Sequence, residues 1–271
     1  MIRHGTGVPS GPALICLSSS PKTGKTRLAA AAMRGDPTQF GDRAIYVAID
    51  PEAASLGSIL LEDRPHLEVV TLDPKKDAYQ ELKGILSFDW QKEGIKTVIV
   101  DTWTIWAQDM LAALANAGAF SDKHIKLAEG AFQPMPGDFL GMETLTFNLF
   151  RIQKASGLNC INIFHEREDR PEPGTPGEPV GGPATVGKAM IRKIAGWHNT
   201  ALRLEVRPRR RTDLSKPLEY DRILHTDNHG IWQCGLRTPH PTNPIPELVV
   251  GADPAETWRI IRRAIEGESF K

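Results

Sequence analysis

The stretch Ser18-Ser-Ser-Pro-Lys-Thr-Gly-Lys-Thr26 constrains this 271-residue chain more than any other. It follows the apolar run Ala13-Leu-Ile-Cys-Leu17 and opens the helix-forming run Arg27-Leu-Ala-Ala-Ala-Ala-Met33. Strand, tight loop, helix is the context in which a phosphate-binding loop works. Backbone N–H groups wrap the phosphate oxygens, and the new helix aims the positive end of its dipole at them. In the pattern G-x-x-x-x-G-K-[ST] the lysine, here Lys25, reaches the outer phosphates, and the hydroxyl, here Thr26, holds Mg²⁺. Ser19 stands where the pattern has its first glycine; Ser20, Pro21, Lys22, Thr23 and Gly24 complete the loop. The motif predicts nucleotide binding and leaves the reaction open.

A second acid at the right distance strengthens it. Ile95-Lys-Thr-Val-Ile-Val-Asp101 is an apolar strand ending in an aspartate, followed by Thr102. An acid at a strand tip binds Mg²⁺, usually through water, and Asp101 is the candidate metal residue alongside Thr26. Ala44-Ile-Tyr-Val-Ala-Ile-Asp50 is another buried strand, and Asp50-Pro-Glu52 follows it. Functional groups gather at the carboxyl ends of such strands. Glu52 is therefore a candidate catalytic acid, with a solvated loop acid capping the next helix as the plainer reading. Leu158-Asn-Cys-Ile-Asn-Ile-Phe164 ends at His165, a candidate sensor of the terminal phosphate, or simply a satisfied polar residue at a strand end.

The remaining segments set the organisation. Leu67 to Leu72 reads as a strand, and Asp77–Phe88, Trp103–Leu114 and Phe139–Ala155 read as helices, the last capped by Asp138. Residues 1–12 are expected to be a flexible lead-in, 116–137 an irregular insertion, and 166–187 a long Pro/Gly-rich mobile loop. A helix from Lys188 to Trp197 and a strand from Thr200 to Val206 follow. Tyr220–Leu236 reads as a hairpin turning at Asn228-His-Gly230, and Asp253–Ile265 as a capped terminal helix.

Between Lys188 and Lys216 nine basic residues face only Glu205 and Asp213, an excess of seven in a chain of zero net charge. A phosphate backbone is one partner for such a segment, and Lys188, Arg192, Lys193, Arg207, Arg209, Arg210 and Arg211 are its candidate DNA contacts; a solvated turn is the alternative. Three cysteines are too few for a disulfide framework, and the N-terminus lacks a secretory pattern, so a cytoplasmic setting is expected. No apolar run approaches the roughly 18 residues of a membrane span, so no membrane partner is expected.

In this order the parts resemble a RecA-type P-loop ATPase, most nearly the short phage ATP-binding proteins linked to single-strand annealing and recombination. The resemblance spans about residues 13–237, with 238–271 as a C-terminal extension carrying a helix. It implies an α/β fold: a mainly parallel sheet flanked by helices, with a C-terminal β-hairpin and terminal helix. It implies ATP and Mg²⁺ as cofactors and a DNA-stimulated ATP hydrolase of phage-type recombination or replication. It places Glu52 as the residue orienting water, His165 as the sensor, 166–187 as a DNA-contacting loop, and Arg237 as a cationic finger reaching a neighbour's ATP. It further implies single-stranded DNA, a homo-oligomer (ring or filament), and a recombination or replication partner. Two other classes share the loop: a nucleotide-gated loader acting on proteins without touching DNA, and a small-molecule or nucleotide kinase.

Overall fold

The structure is a computed structural model describing residues 11–49, 52–72, 77–120, 125–127, 131–171, 177–187, 190–209, 218–236 and 242–268. In chain order its elements are β1 (Leu14–Ser19), α1 (Lys25–Ala30), α2 (Ala32–Gly35), α3 (Pro37–Phe40), β2 (Ala44–Ile49), β3 (Leu67–Leu72), α4 (Ala78–Ser87), β4 (Thr97–Asp101), α5 (Trp103–Ala117), β5 (Ile125–Lys126), β6 (Phe132–Gln133), α6 (Pro136–Ser156), β7 (Asn159–Asp169), β8 (Val180–Pro183), α7 (Met190–Trp197), β9 (Thr200–Pro208), β10 (Tyr220–His225), β11 (Glu247–Val249) and α8 (Pro254–Ile265).

The main sheet runs β11–β10–β9–β1–β7–β4–β2–β3, with β8 paired to β7. The six strands from β9 to β3 are mutually parallel; β10 and β11 extend the sheet antiparallel at one edge. β1, β2 and β4 are buried at every residue, which is why their sequences are apolar without alternation: each face has helices to pack on. Ile15, Leu17, Tyr46, Ala48 and Ile99 face one core with α1, α2 and α8. Cys16, Ile45, Val47, Val98 and Val100 face the other, with α4, α5, α6 and α7. All three cysteines are free and buried.

The topology puts β7 between β1 and β4, so the strand carrying the loop and the strand ending in Asp101 are next-nearest neighbours with both C-terminal tips on one edge. In such sheets that edge is where ligands bind. β11 and α8 belong to the same body as the rest: β11 pairs with β10, and the Trp258 indole donates to the Leu28 carbonyl at 2.7 Å. Arg34 grips Asp253 through two hydrogen bonds of 2.8 and 2.7 Å.

Several expected elements take a different form. The helix capped by Asp138 starts three residues earlier, at Pro136; Asp138 instead accepts the Met135 amide at 2.8 Å from inside the first turn. The 116–137 insertion carries a small hairpin, β5–β6. The 166–187 segment is not one long loop: β7 continues to Asp169 and β8 returns antiparallel to it, leaving 172–176 outside the described residues. Backbone pairing of the β7 extension with β8 outweighed the Pro/Gly composition there. The expected 220–236 hairpin is also rearranged. β10 pairs with β9 and β11, whereas among the described residues Trp232 makes only isolated bridges, to Gly181 and His229. Among the described residues no helix is long and apolar enough to cross a membrane.

Candidate nucleotide-binding site

The chain leaves β1 at Ser19, turns through Ser20–Thr23, and enters α1 at Lys25, so the loop closes over the start of the helix. Lys22 (φ 62°) and Gly24 (φ 105°) take left-handed backbone values, while Ser19 does not. That is why serine is tolerated where the motif has glycine. At Gly24 a side chain would be strained and would press on the Arg222 guanidinium, 3.2 Å from the added carbon. Ser19 is fully buried and its hydroxyl is used: it accepts from Lys25 Nζ at 2.9 Å and is hydrogen-bonded to the Thr23 hydroxyl. Lys25 Nζ also donates to the carbonyls of Ser19 and Ser20 at 3.2 and 3.0 Å. The lysine thus folds back over the loop's own oxygens.

Thr26 Oγ1 donates to Asp101 Oδ2 at 2.5 Å, and the buried Tyr46 hydroxyl donates to the same oxygen. Ser55, on the turn after β2, lies 3.4 Å from Thr26 Oγ1. Burial pushes the Asp101 carboxyl up, opposed by the hydroxyls of Thr26 and Tyr46 and by the Lys25 charge. Tyr46 is also pushed up, first by burial and then by the Asp101 charge beside it. A hydroxyl and a carboxylate converging at this distance are hard oxygen donors of the kind Mg²⁺ takes, so the residues fit the ion.

His165 stands directly across from Ser19 in the β1–β7 register, and its amide donates to Thr104 Oγ1 at 2.9 Å. Burial, and then the charge of Lys25, lower its imidazole to about 4, so it is neutral at pH 7. Pro21 through Thr26, Asp101 and His165 all line one cleft of about 440 Å³. Glu52 begins the short 3-10 turn Glu52–Ser58 beyond β2, the turn that delivers Ser55; its side chain lies outside the described residues, as do Asp50 and Arg237.

Two partners of the loop were not foreseen. Arg222, on β10, donates from Nε to the Thr23 carbonyl at 2.8 Å and lines the same cleft. Glu166 accepts the Ser20 hydroxyl at 2.5 Å and Arg203 Nε at 2.8 Å. Neither has a motif of its own: Glu166 opens the charged run Glu166-Arg-Glu-Asp-Arg170, Arg222 follows Asp221, and strand order brings each to the loop.

The candidate DNA residues are not gathered into a bare basic patch. Lys193 is paired with Glu143, Arg207 with Glu247 and Glu205, and Arg209 with Glu219 and Asp221. Three of those acids, Glu219, Asp221 and Glu247, follow the counted segment in sequence and meet it where β10 and β11 fold back beside β9, while Glu143 comes from α6. Lys188, Arg210, Arg211 and the Arg192 side chain lie outside the described residues.

No family model and no curated protein matches the chain. Among solved structures it has a distant likeness to a KaiC-like protein of the hyperthermophilic archaeon Pyrococcus horikoshii, 13% identical over 79% of each chain, with a TM-score of 0.41.

Proposed function

We propose that this chain binds ATP with Mg²⁺ and hydrolyses it, as a P-loop ATPase of the RecA type. The observation that carries the reading is the convergence of Thr26 on Asp101, 75 residues away in sequence, beside a lysine folded over the loop. Magnesium bound between that hydroxyl and carboxylate would supply positive charge to the phosphate oxygens. Lys25 exchanges its present carbonyl and hydroxyl acceptors for phosphate oxygens, which are anionic and so make the stronger hydrogen bonds. Neutral His165 meets the terminal phosphate as a hydrogen-bonding group without adding charge. Glu52, at the start of the turn that brings Ser55 to Thr26, orients the attacking water.

Lys25→Ala is expected to abolish nucleotide binding or turnover, and Glu52→Gln to keep binding while cutting hydrolysis. Normal turnover by the glutamine variant would remove Glu52 from this role. Unchanged ATP binding by the alanine variant would remove the whole assignment.

The finer reading is a phage-type recombination or replication ATPase working on single-stranded DNA as an oligomer, ring or filament, with Arg237 reaching a neighbour's site. Its support is the excess of basic residues in 188–216 and the position of the β7–β8 strand pair directly after His165. The pairing of Lys193, Arg207 and Arg209 with acids favours the alternative, a nucleotide-gated protein partner or loader. ATP turnover with and without single-stranded DNA separates the two. DNA stimulation that fades steeply with salt supports direct contact, and none at low salt removes it.

A further inference from the structure

The antiparallel edge of the sheet carries a cluster that the nucleotide cleft does not use. Glu205 of β9, His225 at the end of β10 and His229 in the turn beyond it each offer one ligand atom within 4.8 Å of the others. His225 is 1% exposed, and its two ring nitrogens face two carboxylates. Nε2 lies 2.7 Å from Glu205 Oε2, and Nδ1 lies 3.3 Å from Glu247 Oε1. The second approach lacks hydrogen-bond geometry, so Nδ1 is a buried nitrogen without a hydrogen-bond partner. His229 Nδ1 lies 3.8 Å from the same Glu247 oxygen, and the two imidazoles stack with centroids 4.2 Å apart and planes at 21°.

We propose that Glu205, His225 and His229 bind a divalent transition metal of the Zn²⁺ class, with Glu247 as fourth ligand or as the carboxylate orienting His225. Two imidazoles and one or two carboxylates form a donor set that zinc takes, and the spacing H-x₃-H is one that zinc sites use. Metal-bound histidines commonly present their other ring nitrogen to a carboxylate, which is the relation His225 has to the pair Glu205 and Glu247. Tetrahedral bonds of about 2.0–2.1 Å set ligand atoms about 3.3 Å apart. The widest separation must therefore contract by up to roughly 1.5 Å, which the exposed His229 can supply by rotating its side chain.

The surrounding charge permits a cation. Arg203 is committed to Glu166 at 2.8 Å and reaches Glu205 only at 3.4 Å. Arg207 touches both Glu205 and Glu247, at 3.4 and 3.3 Å, so one carboxylate charge of that pair stays uncompensated. Arg207 is 42% exposed and can swing into water as the metal enters. Burial holds the His225 imidazole below its ordinary value, opposed by the carboxylates of Glu205 and Glu247. Bound metal would clamp β9 to the turn after β10. Through the bridges of Trp232 to His229 and Gly181, it would also brace β8.

The test is Zn²⁺ titration of the full, tag-free, chelator-stripped chain by calorimetry, with Co²⁺ absorption as a report of tetrahedral ligation. One equivalent is expected, weakened at least tenfold by His229→Ala, a change at an exposed position that leaves the core alone. Glu205→Gln should weaken it likewise, and Arg207→Gln should tighten it. Asp101→Asn should leave the equivalent in place. Absence of binding to the wild-type chain, equal binding by the His229 and Glu205 variants, or loss of the equivalent in Asp101→Asn would each overturn the proposal. The last outcome would assign the metal to the nucleotide cleft. None of these readouts depends on ATP turnover.

Discussion

Arg222 Nε is hydrogen-bonded to the carbonyl of Thr23 at 2.8 Å, so a strand two places from β1 holds the tip of the phosphate loop. The contact does two things. It fixes a loop peptide, and it sets a guanidinium at the wall of the cleft where phosphates would lie. A charge-assisted hydrogen bond from that guanidinium to a phosphate oxygen would contribute about 1.5–3 kcal/mol, so Arg222→Ala should weaken ATP-analogue binding by about 10- to 100-fold. Because Arg222 is exposed, the urea midpoint should hardly move. Equilibrium binding of a fluorescent ATP analogue, beside a urea titration, checks both halves.

Glu166 links the loop to the outer sheet: Ser20 donates to one of its oxygens and Arg203 to the other. Both side chains of the Glu166–Arg203 pair are about one-tenth exposed, and breaking a pair so little solvated leaves a charge poorly satisfied. Arg203 would keep its stacking on Trp232, 4.2 Å from the ring centroid. Glu166→Gln should therefore raise the KM for ATP several-fold with a smaller change in kcat, since Ser20 positions the loop and reacts with nothing. A fall in kcat alone, with KM unchanged, would instead make Glu166 part of the chemistry.

Residues whose place in the cleft follows from local sequence were legible. Lys25 and Thr26 follow from an eight-residue pattern, and Asp101 from an apolar strand of ordinary length. The strands around them were legible because burial on both faces leaves them mostly apolar. Tyr46, Ser55, Glu166 and Arg222 were not, because each reaches the site through strand order, which no short window encodes. The same reason explains the basic segment. Arg207 and Arg209 look unopposed along the chain, and β10 and β11 then bring Glu219, Asp221 and Glu247 against them. The β7–β8 pairing was hidden by a Pro/Gly-rich composition that reads as loop.

Gly35 closes α2 against α8 with no room for a side chain. An added Cβ would sit 2.6 Å from both the Ala255 carbonyl oxygen and Trp258 Cβ. Helix propensity alone favours Gly35→Ala by about 1 kcal/mol. Overpacking against backbone costs about 1–3 kcal/mol and wins here, because neither obstructing atom is the end of a flexible chain. Net destabilisation of about 1–2 kcal/mol is expected in urea unfolding, and ATP binding by the folded fraction should be unchanged.

Acid should unfold this protein through a histidine that does not line the nucleotide cleft. The Trp103 indole, a donor only, gives its N–H to Asn162 Oδ1 at 2.7 Å, which fixes that amide's orientation. Asn162 Nδ2 must then donate to His198 Nε2 at 2.9 Å, while His198 Nδ1 donates to the Ile194 carbonyl at 2.7 Å. The ring is thus held as the neutral Nδ1–H tautomer, and a proton on Nε2 would face another donor. Burial lowers His198 from 6.5 to about 4, with Lys154 adding to the shift and the Ile194 bond opposing it. The folded value lies below the unfolded one, so the unfolded chain binds more protons between them. Stability is whole above about pH 6.5 and falls as pH drops towards 4, by at most about 3 kcal/mol from this residue. His165, lowered to about 4 by burial and the Lys25 charge, acts in the same direction. Urea midpoints measured from pH 7 to pH 4 should trace that decline. His198→Gln keeps a hydrogen-bonding side chain that cannot titrate, and it should flatten the decline. An equally steep decline in that variant would assign the acid sensitivity to other groups.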